Sequence, residues 1–82
     1  MKLKYIIVGG CIPIVFTECH KHDEIANGRK VESAGFCRAF VSCEESEGSE
    51  YIKVVVWGES IGLKVSSDPT DAGILEKMFN GN

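Results

Sequence analysis

Apolar and polar positions alternate along most of the chain, and this alternation predicts strands more often than helices. Residues 5–16, YIIVGGCIPIVF, carry no charge and place β-branched and aromatic residues on both sides of Gly9-Gly10. Glycine tolerates the positive φ angles of a tight turn, so this stretch predicts a β-hairpin. An export signal is a poorer interpretation, because the apolar run before Cys11 is short and is interrupted by Lys4. A transmembrane helix needs about 20 apolar residues. We therefore expect a cytoplasmic protein.

Three later stretches also show the period of two that is typical of strands. Residues 30–43, KVESAGFCRAFVSC, and residues 51–57, YIKVVVW, predict two strands joined by the polar turn 44–50. One face of the first carries Phe36, Arg38 and Phe40, and one face of the second carries Tyr51, Lys53, Val55 and Trp57. After a turn at residues 58–60, the alternation continues through residue 65 and predicts a further strand.

Two stretches predict helices. Residues 17–28, TECHKHDEIANG, predict a short helix that starts at Thr17 or His20 and stops at the left-handed pair Asn27-Gly28. Near the C-terminus, Asp68 is a good N-cap residue and Pro69 suits the first helical position. The apolar stripe of this second helix is Ala72, Leu75, Met78 and Phe79.

The predicted order of elements is β-β-α-β-β-β-α. It indicates an α+β fold of two layers, with a mostly antiparallel sheet of about five strands and both short helices over one face. We expect residues 1–82 to form a single domain. Two helices cover only one face well, so an uncovered apolar face would serve as a dimer or partner interface.

The net charge of the chain indicates which kinds of partner it can bind. The chain of 82 residues has a net charge of −3, and its nine basic residues are scattered along it. Sequence-independent binding of DNA or RNA depends on clustered Lys and Arg, so we expect no direct contact with nucleic acid. The mild excess of acid favours a basic partner or none.

Cys19, His20 and His22 form the clearest set of residues that could carry chemistry. Thiolate and imidazole are good zinc ligands, but this spacing matches no usual pattern of paired ligands. We expect two exposed histidines, a half-buried thiol, free cysteines, no metal and no cofactor. No nucleophile motif surrounds Cys19, so we expect no enzyme. A small thiol- or metal-binding protein that uses these three residues is the alternative.

Acidic and aromatic residues supply the candidate partner-binding site. The acidic run lies in the predicted turn, and two aromatic residues lie on the strand that follows it. A carboxylate cluster steers a basic partner towards the protein, and buried aromatics prolong the complex. The candidate residues are Glu44, Glu45, Glu47, Glu50, Tyr51 and Trp57.

Several short motifs, in order, resemble a group of small uncharacterised proteins of phages and prophages. Their pattern is a KYIIV strand, PI[VI]F, a TH-x-D-[IV]-A helix, V-x-SAGF, a Y/W-GES turn, LGLKS and a closing RPEDA-x-IL helix. The chain departs from it at Lys21, where the pattern has Thr, and at residues 68–71, which read DPTD in place of RPED. The matching stretches are residues 4–8, 13–16, 22–26, 31–38, 57–60 and 63–75.

The resemblance implies an origin in a mobile element. Small phage proteins of this size often bind a host protein, and many block bacterial defence. The function it implies is a non-enzymatic inhibitor of a bacterial defence system, of the anti-CRISPR kind, which occludes a basic nucleic-acid site or an assembly surface. The implied partner is a host protein such as a CRISPR–Cas component, with no membrane contact. A homodimeric structural or regulatory phage protein is the alternative.

Overall fold

Four antiparallel strands form the main sheet, and two helices and a two-stranded ribbon pack around it. The computed structural model describes residues 2–44 and 49–81. Its elements are β1 (Lys2–Val8), β2 (Ile12–Phe16), α1 (His22–Ala26), β3 (Val31–Glu44), β4 (Ser49–Trp57), β5 (Glu59–Ser60), β6 (Val65–Ser66) and α2 (Asp71–Asn80). The main sheet has the order β2-β1-β3-β4, and β5 pairs with β6 in the ribbon. The predicted α+β fold with a mostly antiparallel sheet is confirmed.

The hairpin predicted at the start of the chain is present. Val8 pairs with Ile12 at the turn, and Lys4 pairs with Phe16 at the open end. Gly9 and Gly10 have φ angles of 58° and 90°, in the left-handed region that glycine adopts without a steric penalty. These two glycines therefore set the register of β1 against β2.

β1 is buried on both faces, and this burial places the helices. Tyr5 and Ile7 pack against Leu75 of α2 on one side of the sheet. Ile6 and Val8 pack against Ala26 of α1 on the other side. The expectation that both helices cover one face is therefore wrong. A continuous apolar run such as YIIV needs cover on both faces, because successive side chains of a strand point in opposite directions.

α1 is shorter than its sequence pattern predicts. It begins at His22 rather than at Thr17 or His20, because the chain first makes a turn in which the His20 N–H donates to the Thr17 carbonyl oxygen at 3.3 Å. Cys19 lies in that turn and is exposed, not half-buried. The predicted stop is confirmed, since Asn27 adopts a left-handed φ of 47°.

The regular helix of α2 begins at Asp71, two residues after the predicted first helical residue Pro69. Thr70, just before it, has helical backbone angles and makes no side-chain cap bond. The cap bond comes from Asp68, as predicted, because its Oδ1 atom accepts bonds from the N–H and the hydroxyl of Thr70 at 2.9 and 2.8 Å. These two bonds favour the ionised carboxylate and lower the pKa of Asp68.

A buried carboxylate joins α2 to the sheet. Asp71 is only 2% exposed and accepts hydrogen bonds from the Tyr5 hydroxyl at 2.6 Å and the Ser33 hydroxyl at 2.9 Å. It also accepts the Asp68 N–H at 3.0 Å. Burial raises the pKa of Tyr5, and the hydrogen bond to Asp71 raises it further. The first turn of α2 is thus held to β1 and β3.

The apolar stripe of α2 differs from the predicted one. Leu75 is fully buried, and Ile74 and Phe79 pack at the rim of the same cluster. Met78 was expected in the core but is 41% exposed. Met78 instead borders a surface pocket together with Cys11 and with Pro13 of β2.

Candidate functional site

One part of the main sheet has no helix over it, on the side opposite α2. Successive side chains of each strand point to opposite faces of the sheet, so the residues that face away from α2 share one surface. The register sets their neighbours: Arg38 lies between Lys2 and Val55, Phe36 pairs with Trp57, and Phe40 pairs with Lys53. We call this surface the open sheet face and define it as Lys2, Phe36, Arg38, Phe40, Lys53, Val55 and Trp57.

The open sheet face exposes large apolar groups. Trp57 is 38% exposed, Val55 is 44% exposed and Phe40 is 45% exposed. The rings of Phe36 and Trp57 stack with centroids 6.2 Å apart and planes 24° apart. The Lys2 ammonium lies 4.8 Å from the centroid of the Phe36 ring. Because β3 lies between β1 and β4, Lys2 and Trp57 approach Phe36 from opposite sides.

A buried histidine fixes the end of the open sheet face. The His22 ring meets Phe16 and Phe36 edge-on, with centroids 5.5 and 5.8 Å away. Its Nε2 atom donates to the carbonyl oxygen of Gly35 at 2.8 Å, since that oxygen can only accept. His22 is 6% exposed, so the expectation of an exposed histidine is wrong. The ring of Phe36 is therefore held in place before any partner binds.

Close backbone packing also positions the stacked rings. A Cβ atom on Gly35 would lie 2.5 Å from the carbonyl oxygen of Trp57, a distance that side chains do not tolerate. Gly58 has a φ of 81°, and a Cβ atom there would lie 2.8 Å from Phe36 Cδ2. The two glycines let the end of β4 approach β3 closely enough for Phe36 and Trp57 to stack.

The charge of the open sheet face is positive. Its ionisable members are Lys2, Arg38 and Lys53, and no carboxylate occupies the face as defined. Lys2 forms a salt bridge with Glu18 at 3.2 Å, in which both side chains are about half exposed. Exposed pairs of this kind contribute at most about 1 kcal/mol. The positive face contrasts with the net charge of −3 of the whole chain.

The predicted partner-binding residues fall into two groups. Tyr51 and Trp57 have the same parity on β4 but lie near its opposite ends. Trp57 belongs to the open sheet face, whereas Tyr51 borders a pocket with Glu76 and Asn80 of α2. Glu50 is exposed at the start of β4, on the opposite side from its neighbour Tyr51. Glu45 and Glu47 lie outside the described residues, and of Glu44 only the backbone, paired with Ser49, is described.

Cys19, His20 and His22 do not converge. The Cys19 thiol lies 2.8 Å from the Thr17 hydroxyl on the surface, whereas the His22 ring points into the protein. Within residues 2–44 and 49–81, no group of three or more His, Cys, Asp or Glu side chains is placed to hold a metal ion. The positions of these three side chains therefore do not support the alternative of a thiol or metal site built from them.

The buried thiol is poorly suited to nucleophilic chemistry. Cys37 is 1% exposed in the core beneath α2, and burial raises its pKa to about 11. The thiolate is the reactive form, so this cysteine stays neutral at physiological pH. Cys37 acts as a small apolar core residue.

The sequence does not predict most of the open sheet face. Its alternation places Phe36, Arg38 and Phe40 on one face of a strand, but it does not show that this strand pairs with β4. The signal was available in the alternation of both strands. Two faces with aromatic, basic and aliphatic residues at every second position form a single surface when the strands pair.

No family model, curated protein or solved structure matches the chain. Among the described residues, no helix is long and apolar enough to cross a membrane.

Proposed function

We propose that this chain is a non-enzymatic binding protein whose binding site is the open sheet face. One observation carries the proposal: Trp57, Val55 and Phe40 remain 38%, 44% and 45% exposed side by side on paired strands. Contiguous apolar groups with a polar border are typical of protein interaction sites. Trp and Arg are also the residues most enriched among those that dominate binding energy.

The rigidity of the site supports binding without rearrangement. Phe36 is held between Lys2 and Trp57, and His22 packs against its edge. Side chains that are already ordered lose little conformational entropy when a partner binds. A preorganised aromatic and basic surface therefore suits a binding protein.

The proposed partner is a host protein. This part of the proposal rests on the resemblance of the sequence motifs to small phage and prophage proteins. We propose that the chain acts in the bacterial cytoplasm as an inhibitor of a defence system, of the anti-CRISPR kind. It would cover a surface that the defence complex uses for assembly or for nucleic acid. Steric occlusion of this kind needs no catalytic group.

Affinity capture from the bacterial host with matched variants tests the proposal. Wild-type protein is compared with Trp57→Ala and Phe40→Ala, which truncate the open sheet face. The control is Ile61→Ala, because Ile61 is 84% exposed but lies outside this face. We expect a protein that is retained by wild type and by Ile61→Ala and lost from both face variants. Equal recovery by all four proteins would refute the site.

A further inference from the structure

Three cations lie next to one another on the open sheet face. Lys2 and Arg38 are directly paired across β1 and β3. Arg38 pairs with Val55, and Lys53 lies two residues before Val55 on the same side of β4, so Arg38 and Lys53 are diagonal neighbours. Directly opposed like charges on a sheet destabilise it, and diagonal neighbours lie about 7–8 Å apart, within reach of long side chains. The fold thus places positive charge on the same face as the exposed apolar groups.

We infer that the open sheet face binds an acidic protein surface, with carboxylates that meet Arg38 and Lys53 around an apolar centre. This inference rests on the proposed function and deepens it by naming the chemistry of the partner. Complementary charges favour the encounter and suppress wrong partners. The apolar centre is Phe40 and Val55, whose exposed side chains lie between the two cations.

A second copy of the chain is the wrong occupant. A two-fold symmetric dimer pairs one patch with the same patch. Two open sheet faces in contact would bring two sets of Lys2, Arg38 and Lys53 into one interface, where the face itself offers no carboxylate to pair with them, and like charges across an interface oppose association. The alternative of a homodimer through this face is therefore disfavoured by its charge.

A single-stranded nucleic acid fits less well than an acidic protein. Such ligands bind by stacking bases on exposed aromatic rings. Phe36 has Lys2 on one side and Trp57 on the other, so both approaches to its ring are taken by the chain itself.

The charge of the partner also distinguishes between the two proposed ways of inhibition, which are covering a nucleic-acid site and covering an assembly surface. Surfaces that bind nucleic acid are basic. A basic open sheet face would be repelled by such a surface and attracted to an acidic one. The inference therefore favours occlusion of an assembly surface over occlusion of a nucleic-acid site.

Titration with defined probes tests the inference. The first probe is a helical peptide of about 15 residues, about 22 Å long, with a leucine face bordered by glutamates. The second carries lysines in place of the glutamates, and the third is an oligo(dT) of about 15 nucleotides. Trp57, the single tryptophan, reports binding by fluorescence, and backbone amide shifts locate the bound probe on the sheet.

We expect the glutamate peptide to bind at β3 and β4, with an affinity that falls as salt rises. The double variant Arg38→Gln with Lys53→Gln should weaken it by about tenfold. The control, Lys30→Gln with Lys77→Gln, makes the same change in net charge at exposed positions outside the face and should leave it unchanged. Tighter binding of the lysine peptide or of oligo(dT), or no shift with the glutamate peptide at millimolar concentration, would overturn the inference.

Results that refute the acidic partner differ from results that refute the open sheet face as the binding site. A host protein that Trp57→Ala loses, but that the double Gln variant retains with full affinity, would keep the open sheet face as the site and refute the acidic partner. A host protein that both Trp57→Ala and Phe40→Ala retain would refute the site itself.

Discussion

The side-chain amide of Asn80 pairs with the backbone of Ile52 as a residue of a neighbouring strand would. The Ile52 N–H donates to Asn80 Oδ1 at 2.8 Å, and Asn80 Nδ2 donates to the Ile52 carbonyl oxygen at 2.9 Å. One turn earlier, a Glu76 carboxylate oxygen accepts the Val54 N–H at 3.1 Å. β4 is an edge strand of the main sheet. The end of α2 thus forms hydrogen bonds with backbone groups of Ile52 and Val54 that could otherwise pair with another strand.

We predict that Asn80→Ala destabilises the protein and promotes self-association. The substitution removes two bonds to Ile52, each of which contributes about 0.5–1.5 kcal/mol. It also frees the backbone of β4 for pairing with a second molecule. Chemical denaturation measures the first effect, and sedimentation velocity measures the second. Lys77→Ala, on the exposed surface of the same helix, is the control. A stable, monomeric Asn80→Ala would show that this amide does not protect the edge.

We predict that Asp71→Ala lowers the free energy of unfolding by about 3 kcal/mol or more, since its three donors are left without their acceptor. Tyr5→Phe removes only one donor and should cost about 1 kcal/mol. Glu24→Ala removes an exposed carboxylate and serves as the control. Urea denaturation compares the three. An Asp71→Ala cost as small as that of Glu24→Ala would contradict the assigned role of this carboxylate.

The raised pKa of Tyr5 predicts a loss of stability in alkali. An unfolded tyrosine ionises near 10.0, whereas burial and the bond to Asp71 keep the folded hydroxyl neutral at that pH. The stabilisation is therefore complete below pH 10 and is lost as pH rises towards the folded pKa. Denaturation midpoints between pH 8 and 11 measure the slope.

Two variants separate the groups that contribute to this slope. Tyr5→Phe should flatten the decline above pH 10. Cys37 also contributes, because burial raises its pKa from 9.0 to about 11. Cys37→Ala should therefore remove the decline that begins near pH 9. An unchanged alkaline slope in Tyr5→Phe would mean that Tyr5 ionises as freely in the folded protein as in the unfolded chain.

Two glycines predict effects of opposite sign. Gly35→Ala should cost about 3 kcal/mol or more, because the new Cβ would lie 2.5 Å from the Trp57 carbonyl oxygen and 3.1 Å from Ser67 Cβ. Gly73→Ala should stabilise the protein by about 1 kcal/mol, since Gly73 lies within α2 and a Cβ there meets nothing within 4 Å. Thermal and chemical denaturation measure both. Equal effects would contradict the packing described around Gly35.

The sequence predicts the local elements better than the contacts between them. The hairpin at Gly9-Gly10 and the left-handed stop at Asn27 depend on nearby residues alone, and both are present. The burial of the His22 side chain is not predictable from nearby residues. Its partners are Phe16, Phe36 and Gly35, which come from two strands, and single-chain periodicity does not indicate which strands meet.

The sequence predicts only part of the candidate site, for the same reason. It predicts Tyr51 and Trp57 as binding residues, and Trp57 lies on the open sheet face. It places Arg38 on a strand face but not in a cluster, because the neighbours Lys2 and Val55 belong to strands that precede and follow Arg38 in the sequence. Long-range pairing created the cation cluster, whereas the sequence showed only scattered basic residues.

The bond between Tyr5 and Asp71 also bears on how the protein folds as it is made. The two residues are 66 positions apart, and β1 is covered on one face by the last helix of the chain. At a synthesis rate of about 5–20 residues per second, β1 waits for about 3–13 s before Asp71 is added. During that interval Tyr5 and Ile7 have no helix over them, so the nascent chain exposes apolar surface to the ribosome and to chaperones. Completion of the native core is therefore an event that follows synthesis of α2.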